Sequence, residues 1–262
     1  MTGSVVGGLV EDGWNPARIH VADPDQHQIE RLARRFSVVT TSNNREAAQF
    51  ADVIVLAVKP QVIKSVADEL AQVVGERHPL VISIAAGICE TSLRNWLGEH
   101  TAIVRAMPNT PALVQSGATA LYANPLVSEE QCNLAESILR AVGLVIWVSD
   151  EAMMDTVTAL SGSGPAYFFL LMEALTSAGS RLGLPEDTAR LLTLQTAFGA
   201  AKMALESAED AGQLRRRVTS PGGTTERAIG EFQKSNFEEI VLTALQTAVE
   251  RSHELAAEFG KG

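Results

Sequence analysis

The sequence predicts an α/β domain with an open sheet, followed by an all-α domain. The apolar run Asp52–Val58 and a second run at Leu80–Ala85 are typical of strands buried on both faces of a parallel sheet. Helical patterns of about a dozen residues separate the strand-like runs, which indicates right-handed βαβ crossovers. After Asp150 only helical periodicity remains. We therefore predict an α/β domain over residues 1–150 and an all-α domain over 151–262.

The remaining elements follow the same patterns. An amphipathic helix is predicted around Ile29, Leu32 and Phe36. The helix Gly164–Leu182 carries few charges and its first half is apolar nearly all round, so we expect a partner subunit to cover it. Further strands are predicted at Arg18–Asp23, Ser37–Thr41, Ala102–Met107, Thr119–Ala123 and Val145–Val148, with a short helix at Asn44–Ala51.

Composition argues against several classes of function. The 262 residues carry a formal net charge of −10, which argues against general binding to nucleic acid or to an anionic membrane. The run Arg215–Arg217 is the one basic cluster, and we interpret it as a solvated helix face. Cys89 and Cys132 are far apart and show no metal-ligand spacing, so we expect no metal and a reducing, cytoplasmic compartment.

Small, proline and amide residues follow three successive strands. They are Lys59-Pro60-Gln61, Ala86-Gly87-Ile88 and Met107–Pro111. Open α/β sheets bind ligands at the carboxyl ends of their strands, so these residues predict a nucleotide-binding edge. Taken singly, each is also ordinary turn chemistry.

Two later segments predict a substrate site. Ser220–Glu226 carries a double glycine and opens a helix, whose first-turn N–H groups can bind a carboxylate or phosphate. The alternative is a capping box with Thr224 or Thr225 as the cap, which does not explain the glycines. Thr158 and Ser161–Pro165 begin the inter-domain helix, where tight packing and capping are the alternative to a cleft-lining role.

These segments together resemble the ordered motif set of the pyrroline-5-carboxylate reductases. The resemblance runs from about Ser4 to Leu255. It implies a Rossmann-type dinucleotide-binding domain and a helical dimerisation and substrate domain, in an enzyme that reduces 1-pyrroline-5-carboxylate to L-proline, the last step of proline biosynthesis. A homodimer through the C-terminal helices is implied, with a higher oligomer of dimers left open. The motifs are Ala57–Pro60, Ala85–Gly87, Arg105–Pro111, Leu160–Tyr167 and Ser220–Thr225.

The resemblance also implies roles for individual residues. Thr158 is expected to be the catalytic residue. Ser220, Gly223, Thr224 and Thr225 are expected to bind the substrate. The residues expected to bind the cofactor are Asn44, Ala57, Val58, Lys59, Pro60, Ala85, Ala86, Gly87 and Asn109.

The cofactor implied is NADPH, with NADH as the alternative. Asp23, at the end of its strand, resembles the acidic residue that favours the ribose hydroxyl of NAD. Arg45 or Arg31 is the cation that would be needed to accommodate a ribose phosphate beside it.

The chain departs from the family at its start. The family opens with a strand and a Gly-x-Gly-Asn-Met loop, whereas Met1–Leu9 resembles the part that follows from the loop's methionine. Our hypothesis is that Met1 is that internal methionine, so that the first strand and the glycine-rich loop are missing. Without the glycine N–H groups and a central strand, we expect weak cofactor binding and lower stability.

Three other functions fit parts of the pattern. A β-hydroxyacid dehydrogenase needs a lysine near the start of the inter-domain helix, but the first lysine after Gly164 is Lys202. A non-catalytic dimeric scaffold or metabolite sensor would keep the fold without turnover. An imine reductase for larger cyclic substrates would differ in not requiring a free substrate carboxylate.

Overall fold

The computed structural model describes residues 1–260 and divides into two compact units. Unit 1 comprises Met1–Ser163 and the C-terminal segment from Thr247 onward, and unit 2 comprises Gly164–Gln246. Residues 151–163 and the C-terminal segment therefore group with the α/β part. The last two residues of the predicted second domain lie outside the described residues. That the cofactor-binding domain ends and the dimerisation and substrate domain begins at residue 150 stays a prediction.

The strands of unit 1 coincide with the predicted runs, with ends that differ by a few residues. Their bounds are β1 (His20–Ala22), β2 (Val39–Thr41), β3 (Val53–Leu56), β4 (Leu80–Ser83), β5 (Ile103–Pro108), β6 (Gly117–Ala123) and β7 (Gly143–Trp147). The α/β character predicted for this part of the chain is confirmed.

These strands form two separate sheets. One has the order β3-β4-β5-β6-β7 and the other is the pair β1-β2. All neighbouring pairs are parallel except β5 and β6, which are antiparallel. The chain between Pro108 and Gly117 is too short for a parallel crossover, which needs a dozen or more residues. The crossovers predicted from the helical stretches therefore do not extend to this pair.

Helices connect the strands of unit 1, and polar side chains cap several of them. The carboxylate of Asp25 accepts a hydrogen bond at the start of α2, and Ser128 forms a capping box with Gln131 at the start of α6. The helix bounds are α1 (Thr2–Glu11), α2 (Gln26–Phe36), α3 (Asn44–Ala48), α4 (Pro60–Arg77), α5 (Glu90–Leu97), α6 (Glu129–Arg140) and α7 (Met153–Val157).

Strand β4 is buried along its whole length, as the sequence predicts. Its residue Ile82 belongs to one core cluster and Val81 to the other, because successive side chains of a strand point to opposite faces. Strand β3 differs, since Val53 and Val55 are only partly buried. The predicted burial of β3 is therefore complete on the face of Ile54 and Leu56 and only partial on the face of Val53 and Val55, where this strand ends the five-stranded sheet.

Helix α1 joins the two sheets through its apolar side chains. Val5 and Leu9 pack in the cluster that contains Ile82, whereas Val6 packs with Val21 of β1. The helix lies close to the end of α6 through Gly8, where an added Cβ would stand 2.3 Å from the carbonyl oxygen of Ala141. A glycine at this position is therefore a packing requirement.

Unit 2 is helical. Helix α8 contacts α9 at Gly179 and Ala189. Its side chains Phe168 and Leu170 are 64% and 67% exposed, so neighbouring helices in the chain do not cover it. No helix within residues 1–260 is long and apolar enough to cross a membrane. The helix bounds are α8 (Gly164–Arg181), α9 (Glu186–Glu206), α10 (Ala211–Arg217), α11 (Thr224–Lys234) and α12 (Phe237–Phe259), and the residues of α12 from Thr247 onward belong to unit 1.

Replacing Gly8 with alanine tests the packing of α1. We expect Gly8→Ala to lower the free energy of unfolding by about 1–3 kcal/mol, because the methyl group forces α1 away from Ala141. Gly75→Ala is the matched control, since Gly75 lies in α4 with no atom within 4 Å of an added Cβ. It should raise stability by about 0.5–1 kcal/mol. Thermal unfolding followed by circular dichroism measures both, and equal changes in Tm would contradict the packing account.

Candidate active site at the carboxyl edge of the sheet

Three predicted cofactor segments lie at one edge of the larger sheet. Strands β3, β4 and β5 are parallel neighbours, with Leu56 beside Ser83 and Ser83 beside Arg105. Their carboxyl ends therefore lie side by side. Residues Ala57–Pro60 follow β3, Ala85–Gly87 follow β4, and Asn109 follows β5. The structure brings these residues to the edge where open α/β sheets bind ligands.

The segment Ala57–Pro60 leads directly into helix α4. Lys59 is the N-cap residue and is exposed, and Pro60 is the first helical residue. The side chain of Lys59 makes no capping hydrogen bond. In the first turn of α4, Pro60 has no N–H and the N–H of Val62 donates to the carbonyl oxygen of Lys59 at 3.1 Å, which leaves the N–H of Gln61 at this edge for an anionic group.

The segment Ala85–Gly87 is kept small by its surroundings. Gly87 has φ of +72°, which favours glycine, and an added Cβ would stand 3.3 Å from Cβ of Leu255 in α12. Ala85 is buried and its N–H donates to Oγ of Ser83 at 3.4 Å. Small side chains let a ligand approach the backbone closely, so this edge fits a dinucleotide.

Asn44 and Asn109 use their side-chain amides within the protein. Asn44 Nδ2 donates to Oε2 of Glu69 at 2.8 Å. Asn109 Oδ1 accepts from the N–H of Ala118 at 2.9 Å, and its Nδ2 donates to Oγ of Ser161 at 3.3 Å. The amide of Asn44 thus joins α3 to α4, and the amide of Asn109 holds the segment after β5 in place. Their contact with a cofactor stays a prediction.

Thr158 begins a single π-helical turn, Thr158–Gly162, directly after α7. Its Oγ1–H donates to the carbonyl oxygen of Met154 at 2.8 Å. At the other end of the turn, an added Cβ on Gly162 would stand 2.3 Å from Cε of Met107 in β5. The turn therefore packs against the carboxyl end of β5. Single π turns are frequent at functional sites, because they re-aim side chains within a helix.

A buried ion pair, not foreseen from the sequence, ties this turn to the sheet. Arg105 in β5 is 7% exposed, and its Nη1 lies 2.6 Å from Oε1 of Glu151, just before α7. The same carboxylate oxygen accepts from the N–H of Glu90 at 2.6 Å. The signal was present in the sequence, since an arginine inside an apolar strand requires a buried acceptor.

The end of α12 makes a second contact that the sequence did not reveal. Ser252 Oγ donates to Oδ1 of Asp155 at 2.6 Å, and Nε2 of His253 lies 3.1 Å from Oδ2 of the same carboxylate. Asp155 lies in α7, one turn before Thr158. Residues 97 apart in sequence meet here, and no local pattern predicts such a pair.

The thiol nearest to this network stays protonated. Burial raises the pKa of Cys89, and the nearby Arg105 only partly opposes that effect. Glu151 and Asp155 raise the pKa of Cys89 further. A thiol is a poorer nucleophile than a thiolate, so the raised pKa argues against a nucleophilic role for Cys89. Residues 1–260 contain no cluster of three His, Cys, Asp or Glu side chains arranged to hold a metal ion.

In unit 2, the segment Ser220–Glu226 forms a turn that opens α11. Gly223 is the N-cap residue, so the alternative in which Thr224 or Thr225 caps the helix is wrong. The N–H of Gly223 donates to the carbonyl oxygen of Ser220 at 3.0 Å, which closes the turn. Because no side chain caps α11, its first-turn N–H groups are available to an external acceptor.

Comparisons with known proteins identify the family. The model of pyrroline-5-carboxylate reductase dimerisation matches residues 151–255, and that of an NADP oxidoreductase, coenzyme F420-dependent, matches residues 1–87. A pyrroline-5-carboxylate reductase of Pseudomonas aeruginosa is 52% identical over 100% of this chain and 95% of its own length.

Solved structures agree with the sequence comparison. A pyrroline-5-carboxylate reductase from Coxiella burnetii has a TM-score of 0.94 at 50% identity, with 97% of this chain and 94% of that chain covered. The Plasmodium falciparum pyrroline carboxylate reductase with NADP bound has a TM-score of 0.85 at 29% identity, with the same coverage. With a Rossmann-like α/β unit, a helical dimerisation domain and relatives this similar along the whole chain, the protein belongs to the pyrroline-5-carboxylate reductase family.

Proposed function

We propose that this chain is an oxidoreductase that reduces 1-pyrroline-5-carboxylate to L-proline with NAD(P)H. The observation that carries the proposal is the position of the Thr158 turn. This turn packs against the carboxyl end of β5, at the edge that also holds Ala57–Pro60 and Ala85–Gly87. Unit 1 thus contains both the Thr158 hydroxyl, which would contact the reacting ring, and the sheet edge that would bind the dinucleotide.

Backbone and small side chains at the edge hold the cofactor in this proposal. Ala57–Pro60 and Ala85–Gly87 contact it along two neighbouring strand ends, with Asn44 and Asn109 completing the edge. When bound, the reduced nicotinamide supplies a hydride to the imine carbon. The protein's part is to orient the ring, and such positioning contributes about 7–11 kcal/mol to lowering a barrier.

Thr158 orients the ring nitrogen. A cyclic imine is readily protonated near neutral pH, so the reaction requires no strong acid. The hydroxyl hydrogen of Thr158 is already donated to Met154, which leaves Oγ1 as an acceptor. Oγ1 therefore accepts a hydrogen bond from the N–H of the protonated imine, whose proton comes from water. After reduction of the carbon, that proton remains on the amine nitrogen of proline.

The start of α11 binds the substrate carboxylate. The N–H groups of Thr224 and Thr225 and the hydroxyl of Ser220 donate to it, and Gly223 keeps the approach open. Each charge-assisted hydrogen bond contributes about 1.5–3 kcal/mol. This requirement for a carboxylate distinguishes the proposal from an imine reductase for larger rings, and turnover itself distinguishes it from a scaffold or sensor.

The active form in this proposal is a homodimer through the C-terminal helices. Support comes from the dimerisation model over residues 151–255 and from apolar side chains that the chain itself leaves exposed. Phe169 and Phe198 are 63% exposed, and Ile240 is 58% exposed. We also propose a cytoplasmic compartment, because both cysteines are free.

The role of Thr158 predicts the effect of removing its hydroxyl. Thr158→Val should lower kcat about ten-fold or more, because the iminium N–H loses its acceptor. Thr158→Ser is the control and should retain most of the turnover, since it keeps the hydroxyl. Steady-state oxidation of NAD(P)H with 1-pyrroline-5-carboxylate measures both. Unchanged turnover in Thr158→Val would remove this residue from the mechanism.

The role of the α11 start predicts a selective effect on substrate binding. An added Cβ on Gly223 would stand 3.0 Å from the carbonyl oxygen of Ser220, whereas Gly230 in the same helix has no atom within 4 Å of one. Gly223→Val should raise KM for the imino acid about ten-fold or more, because the substrate carboxylate loses one charge-assisted hydrogen bond. Gly230→Val is the matched control. Equal increases in KM for both substrates would make the loop structural.

If the Arg105–Glu151 pair positions Thr158, breaking it should lower both the free energy of unfolding and kcat. Arg105→Met should lower the free energy of unfolding by about 3–5 kcal/mol, because it leaves the Glu151 carboxylate without its cation. The double variant Arg105→Met/Glu151→Gln should recover part of that loss and show low kcat with little change in cofactor KM. Urea unfolding and steady-state kinetics test this. A double variant with full turnover would show that the pair does not position Thr158.

A further inference from the structure

The structure assigns cofactor preference to Asp23: we propose that this carboxylate selects NADH over NADPH, which reverses the order implied by the family resemblance. The inference rests on the proposed function, since it concerns the cofactor of that same reaction. Asp23 directly follows β1, and its N–H continues the pairing with β2 by donating to the carbonyl oxygen of Thr41 at 3.4 Å.

The position of Asp23 is that of the residue that meets the adenosine ribose. In the βαβ dinucleotide fold, the pyrophosphate lies at a helix N-terminus, and an acidic residue on the next strand bonds the ribose hydroxyl. Here α1 is followed by β1, and Val6 of α1 packs with Val21 of β1. Asp23 stands at the carboxyl end of that strand.

At the neighbouring helix start, carboxylates of the chain occupy two backbone donors. The N–H of Asp25 donates to Oδ1 of Asp23 at 2.8 Å, and the N–H of His27 donates to Oδ1 of Asp25 at 2.9 Å. They are two of the donors at the start of α2 that a 2′-phosphate would use. Two carboxylates of the chain already accept from them, so a phosphate would face two negative charges in place of free N–H groups.

The arginines that could offset this charge are engaged elsewhere. Arg31 Nη2 donates to Oε1 of Gln28, and Arg45 Nε donates to the carbonyl oxygen of Glu69 at 3.0 Å. Within residues 1–260, Asp23 takes part in no salt bridge. The second carboxylate oxygen of Asp23 can accept a hydrogen bond from a ribose hydroxyl, which NADH has and NADPH lacks at that position.

Binding rather than turnover tests the proposal. Fluorescence titration of the full chain with NADH and with NADPH gives two Kd values in one preparation, and their ratio does not depend on the fraction of folded protein. The unmodified chain should bind NADH about ten-fold more tightly, a difference of about 1.4 kcal/mol. Raising the ionic strength should reduce that ratio, because it screens the repulsion of the phosphate.

Two isosteric variants isolate the charge. Asp23→Asn should lower the preference for NADH about ten-fold. Asp52→Asn is the matched control, because Asp52 precedes β3, at the amino end of the sheet, and pairs with Arg18 at 3.5 Å. It makes the same change in net charge and should leave the ratio unaltered.

The outcomes separate this proposal from the proposed function. Tighter binding of NADPH by the unmodified chain, an equal shift in both variants, or no measurable binding of either cofactor would overturn the role of Asp23. Reduction of 1-pyrroline-5-carboxylate is assayed separately with both cofactors. Efficient reduction with NADPH as the preferred cofactor would leave the reaction standing and reject only the preference.

Discussion

The buried guanidinium of Arg105, in the five-stranded sheet, constrains the geometry of the candidate site. Arg105 is almost fully buried in β5, and an uncompensated charge there would be strongly destabilising. Glu151 provides the compensation, and it lies just before the helix that carries Thr158. Ser252 adds a second contact to the same helix, because its hydroxyl donates to Asp155. Thr158 is thereby fixed relative to the strand ends by contacts that involve no ligand.

The alignment of parallel strands supplies the other half of the site. The registers of β3, β4 and β5 place their carboxyl ends side by side, so segments distant in sequence share one edge. Gly87 shows how closely that edge is packed, since Leu255 from the end of α12 leaves little room for a side chain there. The C-terminal residues are thus part of the α/β unit and support its ligand-binding edge.

Much of this arrangement follows from local sequence patterns, and the exceptions have physical causes. The apolar runs located the strands because burial on a sheet selects continuous β-branched and aliphatic residues. Burial of β3 is complete on one face only, because Val53 and Val55 stay half-covered at the end of the sheet. The antiparallel pairing of β5 and β6 follows from a connection too short for a crossover, a constraint that the strand pattern alone does not contain.

Side-chain partners were the least predictable part of the site. Asn109 was expected at the cofactor, yet its amide bonds Ala118 and Ser161. The sequence shows that the glycines before α11 are unusual. Only the structure shows that Gly223 is the N-cap residue, so that no side chain caps this helix. The pairing of Asp155 with Ser252 joins distant segments. Such contacts depend on tertiary packing, which periodicity does not encode.

Hydrogen–deuterium exchange with mass spectrometry tests the assignment of the two ligand-binding regions most directly. NADH alone should slow exchange in peptides that cover residues 57–60 and 85–87. A five-membered ring carboxylate that cannot be reduced, added next, should slow exchange at the N–H groups of Thr224 and Thr225, since their only proposed acceptor is its carboxylate. Protection of the α11 start by NADH alone, or none with the ring carboxylate, would contradict the account.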